Sequence, residues 1–298
     1  SVGFAFKTGL FNIGAAGQYT LGAFGALYCA IVLQWPWYLC LLAAMLFGAV
    51  WGALPGIFKA YLNINEVITA IMFNWIGLYM VNDIMYGKGK SPMYDLSSTK
   101  TYSLRKAAPQ AMIPNCGMSE MFGKLQSVTI AIFIAIFFAI VVYIILNKTA
   151  FGYELRACGF NKNAARYAGI NEKRNIILSM MISGALAGVG AGLYYLSTVA
   201  EWNPQVSTAL PAMGFNGIST ALLACSNPIG TIFSSLFISY ITVGGTKLST
   251  QYYSKEIADV ITALIIYLCA FSLLFKNKIR ALLAGKAKRV SVGKGGDD

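Results

Sequence analysis

The run VTIAIFIAIFFAIVVYIIL, Val128 to Leu146, holds no charged residue, no proline and no glycine. At about 1.5 Å per residue, a helix of this length reaches across most of a hydrocarbon core roughly 30 Å thick. Apolar on every face, it has no side to turn to water. Lipid then dictates the rest of the chain, because a backbone crossing a bilayer must satisfy its own hydrogen bonds as a helix or a closed barrel. A barrel would show alternating segments of about ten residues. The chain instead shows unbroken apolar runs at 16–34, 37–58, 66–86, 128–146, 176–199, 207–225, 228–245 and 257–275. The expected fold is all-α and polytopic. About eight hydrophobic segments, some of them broken or re-entrant, form a single transmembrane domain over 1–298. Charged residues make up 11% of the chain, against about 25% in a soluble domain.

The charges that remain set the orientation. The stretch 147–175 holds Lys148, Arg156, Lys162, Arg166, Lys173 and Arg174 against Glu154 and Glu172. The tail 276–298 holds Lys276, Lys278, Arg280, Lys286, Lys288, Arg289 and Lys294. The excess of Lys and Arg in cytoplasmic loops makes both cytoplasmic. Four apolar segments lie between them, and an even number of crossings returns the chain to the same side. The polar stretch 87–124, with Pro92, Pro109 and Pro114, then forms an extracytoplasmic loop. It also carries Lys and Arg, but long loops follow the charge rule less strictly. The net charge of +12 is therefore read against membrane lipid, with no nucleic acid implied. The chain opens at Ser1 inside an apolar stretch, without the basic start of a signal peptide. The natural N-terminus, with one more helix, is expected upstream.

Two apolar segments are poor straight helices. GLFNIGAAGQYT, from Gly9, mixes Asn12 and Gln18 with Gly9, Gly14 and Gly17. The segment 207–225 carries Pro211, Gly214, Asn216 and Gly217 in its first half. Irregular backbone at membrane depth is tolerated where it is buried in protein or lines a watery cavity. Paired broken segments mark binding sites in some transporters. Small residues also let helices approach closely. The residues alone leave cavity lining and close packing both open.

Between two spans, NKNAARYAGI (161–170) reads as a short helix. Asn161 or Asn163 is its N-cap, alanines supply propensity, and Gly169 stands where it stops. Such a helix, with apolar and basic faces, suits docking into a groove on a partner; the plain alternative is a basic connecting loop.

Several function classes drop out. There is no histidine, which removes the commonest general base and metal ligand. The six cysteines form no CxxC pair, so neither a disulfide framework nor a metal cluster is expected. GGTKLST (244–250) lacks the spacing of a phosphate-binding loop. The segments 128–146, 176–199 and 228–245 contain no Asp or Glu, where an ion-coupled secondary transporter would want buried carboxylates. A membrane enzyme lacks its catalytic constellation.

Four stretches resemble the permease subunit of bacterial ABC importers of the branched-chain amino acid/ribose superfamily. They are GLFNIGAAGQ (9–18), GALPGIFKAYLNINEVITAIMFNWIGLY (52–79), FGYELRACGFNKNAARYAGINEKRNIILSMMISGALAG (151–188) and GFNGISTALLACSNPIGTI (214–232). The resemblance is strongest to the nucleoside branch, which works with a basic membrane lipoprotein as receptor. It departs at Ala16, where the family motif usually has an acidic residue.

The resemblance implies a subunit of the bacterial cytoplasmic membrane that is not itself an enzyme and holds no cofactor. ATP would be hydrolysed on cytosolic ABC ATPase subunits. A second permease subunit and an extracytoplasmic substrate-binding lipoprotein complete the partners. Asn161, Asn163, Ala164, Ala165, Arg166 and Gly169 would form the coupling element on the ATPase. A nucleoside needs amides or hydroxyls and aromatic faces, so Asn12, Gln18, Asn74, Trp75, Phe215 and Asn216 become candidates for the substrate pathway. Helix–helix hydrogen bonding is the plain alternative for each amide. Lys59 is read as an interfacial anchor of its segment, and Glu66 as an acid favoured at a helix N-terminus. A ribose- or galactose-type sugar permease is the alternative within the superfamily, and an ion-coupled transporter the alternative outside it.

Overall fold

The computed structural model of the chain describes residues 1–86, 91–95, 100–117, 129–203 and 209–246, with isolated helical positions between 257 and 268. The last apolar run, with Glu256 and Asp259, and the basic tail lie largely outside the described residues. Among those described, helix dominates. Four helices are long and apolar enough to cross a membrane: α3 (Trp37–Leu62), α4 (Glu66–Tyr86), α6 (Ala131–Lys148) and α9 (Glu172–Leu196). They fall on the runs expected at 37–58, 66–86, 128–146 and 176–199.

The first expected segment, 16–34, forms as one helix, and a further short helix precedes it. A short helix α1 (Val2–Lys7) is followed by a non-helical turn and then α2 (Ala15–Ile31). Only Tyr28 in α2 is exposed, so α2 is the central helix of the bundle. The run at 207–225 shortens to α10 (Ala212–Leu223), with Pro211 directly before it. Proline fixes the entry angle but cannot continue a helix backward. After α10, α11 (Gly230–Thr246) follows a tight turn at Cys225 and Ser226, both at positive φ.

The core seam lies between α3 and α9, which run antiparallel. Gly48, Gly52 and Gly56 recur every fourth residue on α3, and Gly184, Gly188 and Gly192 do the same on α9. A β-carbon on Gly52 would sit 2.9 Å from Gly184 Cα and 2.6 Å from the Met180 carbonyl oxygen. On Gly48 it would sit 3.0 Å from Gly188 Cα. Lipid gives helices no hydrophobic reason to associate, so backbones this close gain cohesion from van der Waals contact instead. α2 joins the same seam through Gly22, which lies against Gly188.

The polar stretch 87–124 is less loop-like than its composition suggests. Its described part carries a two-residue antiparallel ladder, β1 (Tyr94–Asp95) with β2 (Lys100–Thr101), then α5 (Leu104–Ala107) and a single 3₁₀ turn at Pro109–Ala111. Met93, Leu104, Ala108, Ala111 and Ile113 are buried in the main apolar cluster. Backbone bonds tie the stretch to the end of α9, Ile113 N–H to the Leu196 carbonyl at 3.1 Å and Thr101 N–H to the Trp202 carbonyl at 3.0 Å. Thr129, just before α6, meets Ser197 just after α9 at 2.9 Å. One end of the bundle therefore gathers the 91–117 stretch, the start of α6 and the end of α9. The opposite end gathers α7 (Ala150–Phe160), α8 (Lys162–Tyr167) and the start of α9.

Candidate functional site

The turn Gly9–Gly14 is irregular backbone enclosed in protein, and neighbouring side chains satisfy it. Asn12 is 0% exposed. Its Oδ1 accepts from Gly14 N–H at 3.0 Å and from Gln18 Nε2 at 3.2 Å. Its Nδ2 donates to Gln18 Oε1 at 2.9 Å and to Ser183 Oγ at 2.8 Å. Asn74 of α4 completes the arrangement from the other side. Its Nδ2 donates to the Ile13 carbonyl at 3.1 Å, and its Oδ1 accepts from Gly17 N–H at 2.8 Å. The first turn of a helix leaves backbone donors unpaired. Here the cap of α2 is supplied by a residue of another helix.

Three of the six pathway candidates, Asn12, Gln18 and Asn74, are thus buried around one turn, the first two bonded to each other and the third to its backbone. The other three lie on the flanks. Trp75 is half-buried on α4 and stacks with Tyr79 at 6.0 Å between ring centroids. Phe215 is exposed on α10 and Asn216 half-buried beside it. Both α4 and α10 touch the first turn of α2. Gly17 meets Asn74, and Ala16 meets Gly214 so closely that a β-carbon on Gly214 would sit 2.6 Å from Ala16 N. The position where an acid was expected is therefore a buried helix contact.

The outward face of α4 carries more than the sequence reading assigned to it. Met72, Ile76, Tyr79 and Asp83 are exposed along it, with Trp75 partly so. Asp83 stands in the last turn of α4, and the four-residue spacing Trp75, Tyr79, Asp83 puts aromatic and acidic groups in one row. That spacing was available in the sequence and is the signal that was missed.

At the opposite end, Asn161 is the N-cap of α8. Its side chain accepts from Asn163 N–H at 3.0 Å and Ala164 N–H at 3.1 Å. This resolves the choice between Asn161 and Asn163. Gly169, at φ +81, ends the helix by adopting the left-handed region, with its N–H on the Arg166 carbonyl and Ile170 N–H on Ala165. Ala165 is buried, while Phe160 and Tyr167, either side of the helix, are 90% and 95% exposed. Neither ring packs against the rest of the chain.

A cleft of ≈ 430 Å³ opens beside α8, lined by Asn161, Asn163, Lys59, Glu66, Gly9 and Asn175 among others. Lys59 and Glu66 form an ion pair across it at 2.8 Å. The expected separate roles, interfacial anchor and helix-end acid, merge into one pairing between the end of α3 and the start of α4. On the cleft wall α7 packs its backbone onto the α1–α2 turn: a β-carbon on Gly159 would lie 2.8 Å from Gly9 N and 2.6 Å from Thr8 C. Thr8 hydrogen-bonds Ser179, and Asn175 donates to Glu154 Oε2 at 3.3 Å. Asn175, Ser179 and Ser183 thus give α9 a polar stripe facing α7 and the turn. Among the described residues no group of His, Cys, Asp and Glu is arranged to hold a metal ion.

Comparison with known proteins bears on this arrangement as a whole. The chain is 33% identical to a guanosine ABC transporter permease protein, NupP, of Bacillus subtilis (strain 168), over 91% of this chain and 76% of that protein. It is 33% identical to a nucleoside ABC transporter permease protein, NupB, of Lactococcus lactis subsp. cremoris (strain MG1363), over 98% of this chain and 80% of that one. It is 27% identical to a glucose ABC transporter permease protein, TsgB13, of Haloferax volcanii, over 91% and 72%. No solved structure gives a significant match. Residues 1–270 match the family described as branched-chain amino acid transport system / permease component, and with identity of this extent the chain belongs to that family of ABC importer permeases, multi-pass proteins of the bacterial plasma membrane that carry no ATPase of their own.

Proposed function

We propose that the chain imports nucleosides. The observation that carries this is the 33% identity to the guanosine and nucleoside permeases over nearly its whole length. ABC permeases work with an ATPase and a binding protein; here we take these to be a cytosolic ABC ATPase and an extracytoplasmic lipoprotein receptor, with a second permease subunit closing the pathway. The outward row of Trp75, Tyr79 and Asp83 supports α4 as a pathway wall, since it offers a stacking surface and an acceptor. Phe215 and Asn216, exposed or half-exposed on α10, fit the same wall. Asn12, Gln18 and Asn74 then act one layer behind it, fixing the helices that carry it.

The end bearing α7 and α8 is cytoplasmic in this reading and the 91–117 stretch extracytoplasmic. The density of Lys and Arg over 147–175 supports this. α8, with Arg166 and the exposed rings of Phe160 and Tyr167, fits a cleft on the ATPase. Sugar import is the second reading, favoured by the likeness to the glucose permease. The deciding experiment is uptake by cells expressing the whole importer. Labelled guanosine should enter in an ATP-dependent way and be displaced by other nucleosides but not by glucose or ribose. Displacement by sugars alone would transfer the function to the second reading.

A further inference from the structure

Where the 91–117 stretch folds over the end of α9, it encloses a second cavity, of ≈ 380 Å³, separate from the α4 face and from the α8 cleft. That volume lies in the range of small-molecule sites. Its apolar lining includes Leu27, Tyr102, Leu104, Tyr195, Val199 and Trp202; the Tyr102 ring is exposed, and the Tyr195 and Trp202 rings lie 6.1 Å apart at centroid. Its polar lining is of two kinds. Hydroxyls come from Thr101, Ser103 and Thr198, and charges from Arg105 and Glu201. Arg105 donates towards Thr198 Oγ1 at 3.5 Å, and Glu201 pairs with Lys100 at 3.7 Å. Both charged groups therefore stand at the rim on anchored side chains, above an aromatic floor held by the Thr101–Trp202 backbone bond.

Aromatic floor, hydroxyl wall, a donor-only guanidinium and an acceptor-only carboxylate make a specific chemical request. Stacking asks for a planar ring. The carboxylate asks for paired hydroxyls, as a ribose offers. The guanidinium asks for adjacent acceptors. A 6-oxopurine presents such a pair at O6 and N7, whereas adenine places a donor beside N7. A sugar supplies the hydroxyls but no planar ring.

We infer that this cavity is an entry subsite for 6-oxopurine nucleosides on the outer face of the permease, with Arg105 reading the base and Glu201 the ribose; the inference rests on the nucleoside reading above.

The test uses the complete importer in proteoliposomes and measures uptake of guanosine, inosine, adenosine and cytidine. Arg105 and Glu201 are exposed, so Arg105→Gln and Glu201→Gln leave the fold intact, which co-purification with the ATPase verifies. Arg105→Gln should lower the preference for guanosine and inosine over adenosine about tenfold, the scale of one lost base-edge contact. Glu201→Gln should raise the half-saturating concentration of all ribonucleosides while sparing the base preference. Unchanged selectivity in both variants with normal nucleoside uptake overturns the subsite alone. Loss of receptor binding with selectivity unchanged also overturns it, and makes the cavity a seat for the receptor. No nucleoside uptake by the unaltered importer overturns the nucleoside reading itself.

Discussion

Gly214 of α10 rests on the backbone of Ala16 in α2, with room for a hydrogen and nothing larger: a β-carbon there would lie 2.7 Å from Ala16 Cβ. The two residues come from separate family motifs, and their contact is what brings the half-length helix α10 against the start of α2. Neither position tolerates growth. Ala16→Asp, which restores the acid usual in the family, should lower the thermal stability of the detergent-solubilised protein by about 1–3 kcal/mol through overpacking. A co-variant that shortens nothing on α10 should not rescue it. Equal melting temperatures for Ala16→Asp and the unaltered chain would refute the contact.

Asn12 and Gln18 exchange two hydrogen bonds in a buried site. Asn12→Ala leaves Gln18 and Ser183 short of a partner, which costs about 1–3 kcal/mol. A double-mutant cycle with Gln18→Ala should give a coupling of roughly 0.6 kcal/mol and no more than about 1.7, the mean and the maximum of such couplings between membrane helices. The half-saturating substrate concentration should stay as it is in the unaltered importer. A raised value with unchanged stability would put Asn12 on the substrate path.

Tyr167 and Phe160 project from either side of α8 with almost all their surface uncovered by the rest of the chain. Large aromatic side chains dominate the energetics of interfaces, at about 2 kcal/mol or more when truncated. Tyr167→Ala and Phe160→Ala should each reduce co-purification of the ATPase at least tenfold while leaving membrane insertion untouched. Gly169→Ala should weaken α8 by roughly 1 kcal/mol, because its φ of +81 disfavours a side chain. Retained ATPase in all three variants would remove α8 as the docking element.

The glycine seam is less forgiving. Gly184→Val puts a branched side chain where Gly52 Cα already stands 2.9 Å from a β-carbon position. It should separate α3 from α9, seen as loss of monodisperse protein on size exclusion in detergent. Gly190→Ala, with nothing near its β-carbon position, is the control and should behave as the unaltered chain.

How much of this was legible beforehand depends on the kind of signal. The apolar runs that became α3, α4, α6 and α9 were readable because lipid demands length and uniformity, and both are written in the residues. Gly169 and the Asn cap of α8 were readable because they act within a few residues of themselves. The helix α1 and the turn that joins it to α2 were not, because part of what holds the turn, Asn74 and Ser183, lies far along the chain. For the same reason the sequence named Asn12, Gln18 and Asn74 as polar groups needing partners without revealing that Asn12 and Gln18 are each other's, or that Asn74 bonds the backbone at Ile13 and Gly17. The buried role of Met93, Leu104 and Ile113 was hidden by the polar residues around them, since irregular backbone imposes no period on apolar positions. The Lys59–Glu66 pair was missed because each residue had an adequate local explanation.

The meeting of Gly9 and Gly159 is a joint without upholstery. Most contacts between helices are cushioned by side chains that change rotamer when pushed. Here two main chains touch, so there is no rotamer to turn and no slack to take up. A displacement of α7 would press directly on the turn before α2, from which the contacts to α4 and α10 both spread. The chain thus has a stiff linkage between its exposed tip and the helices that flank its candidate pathway, made from the two residues with least to contribute.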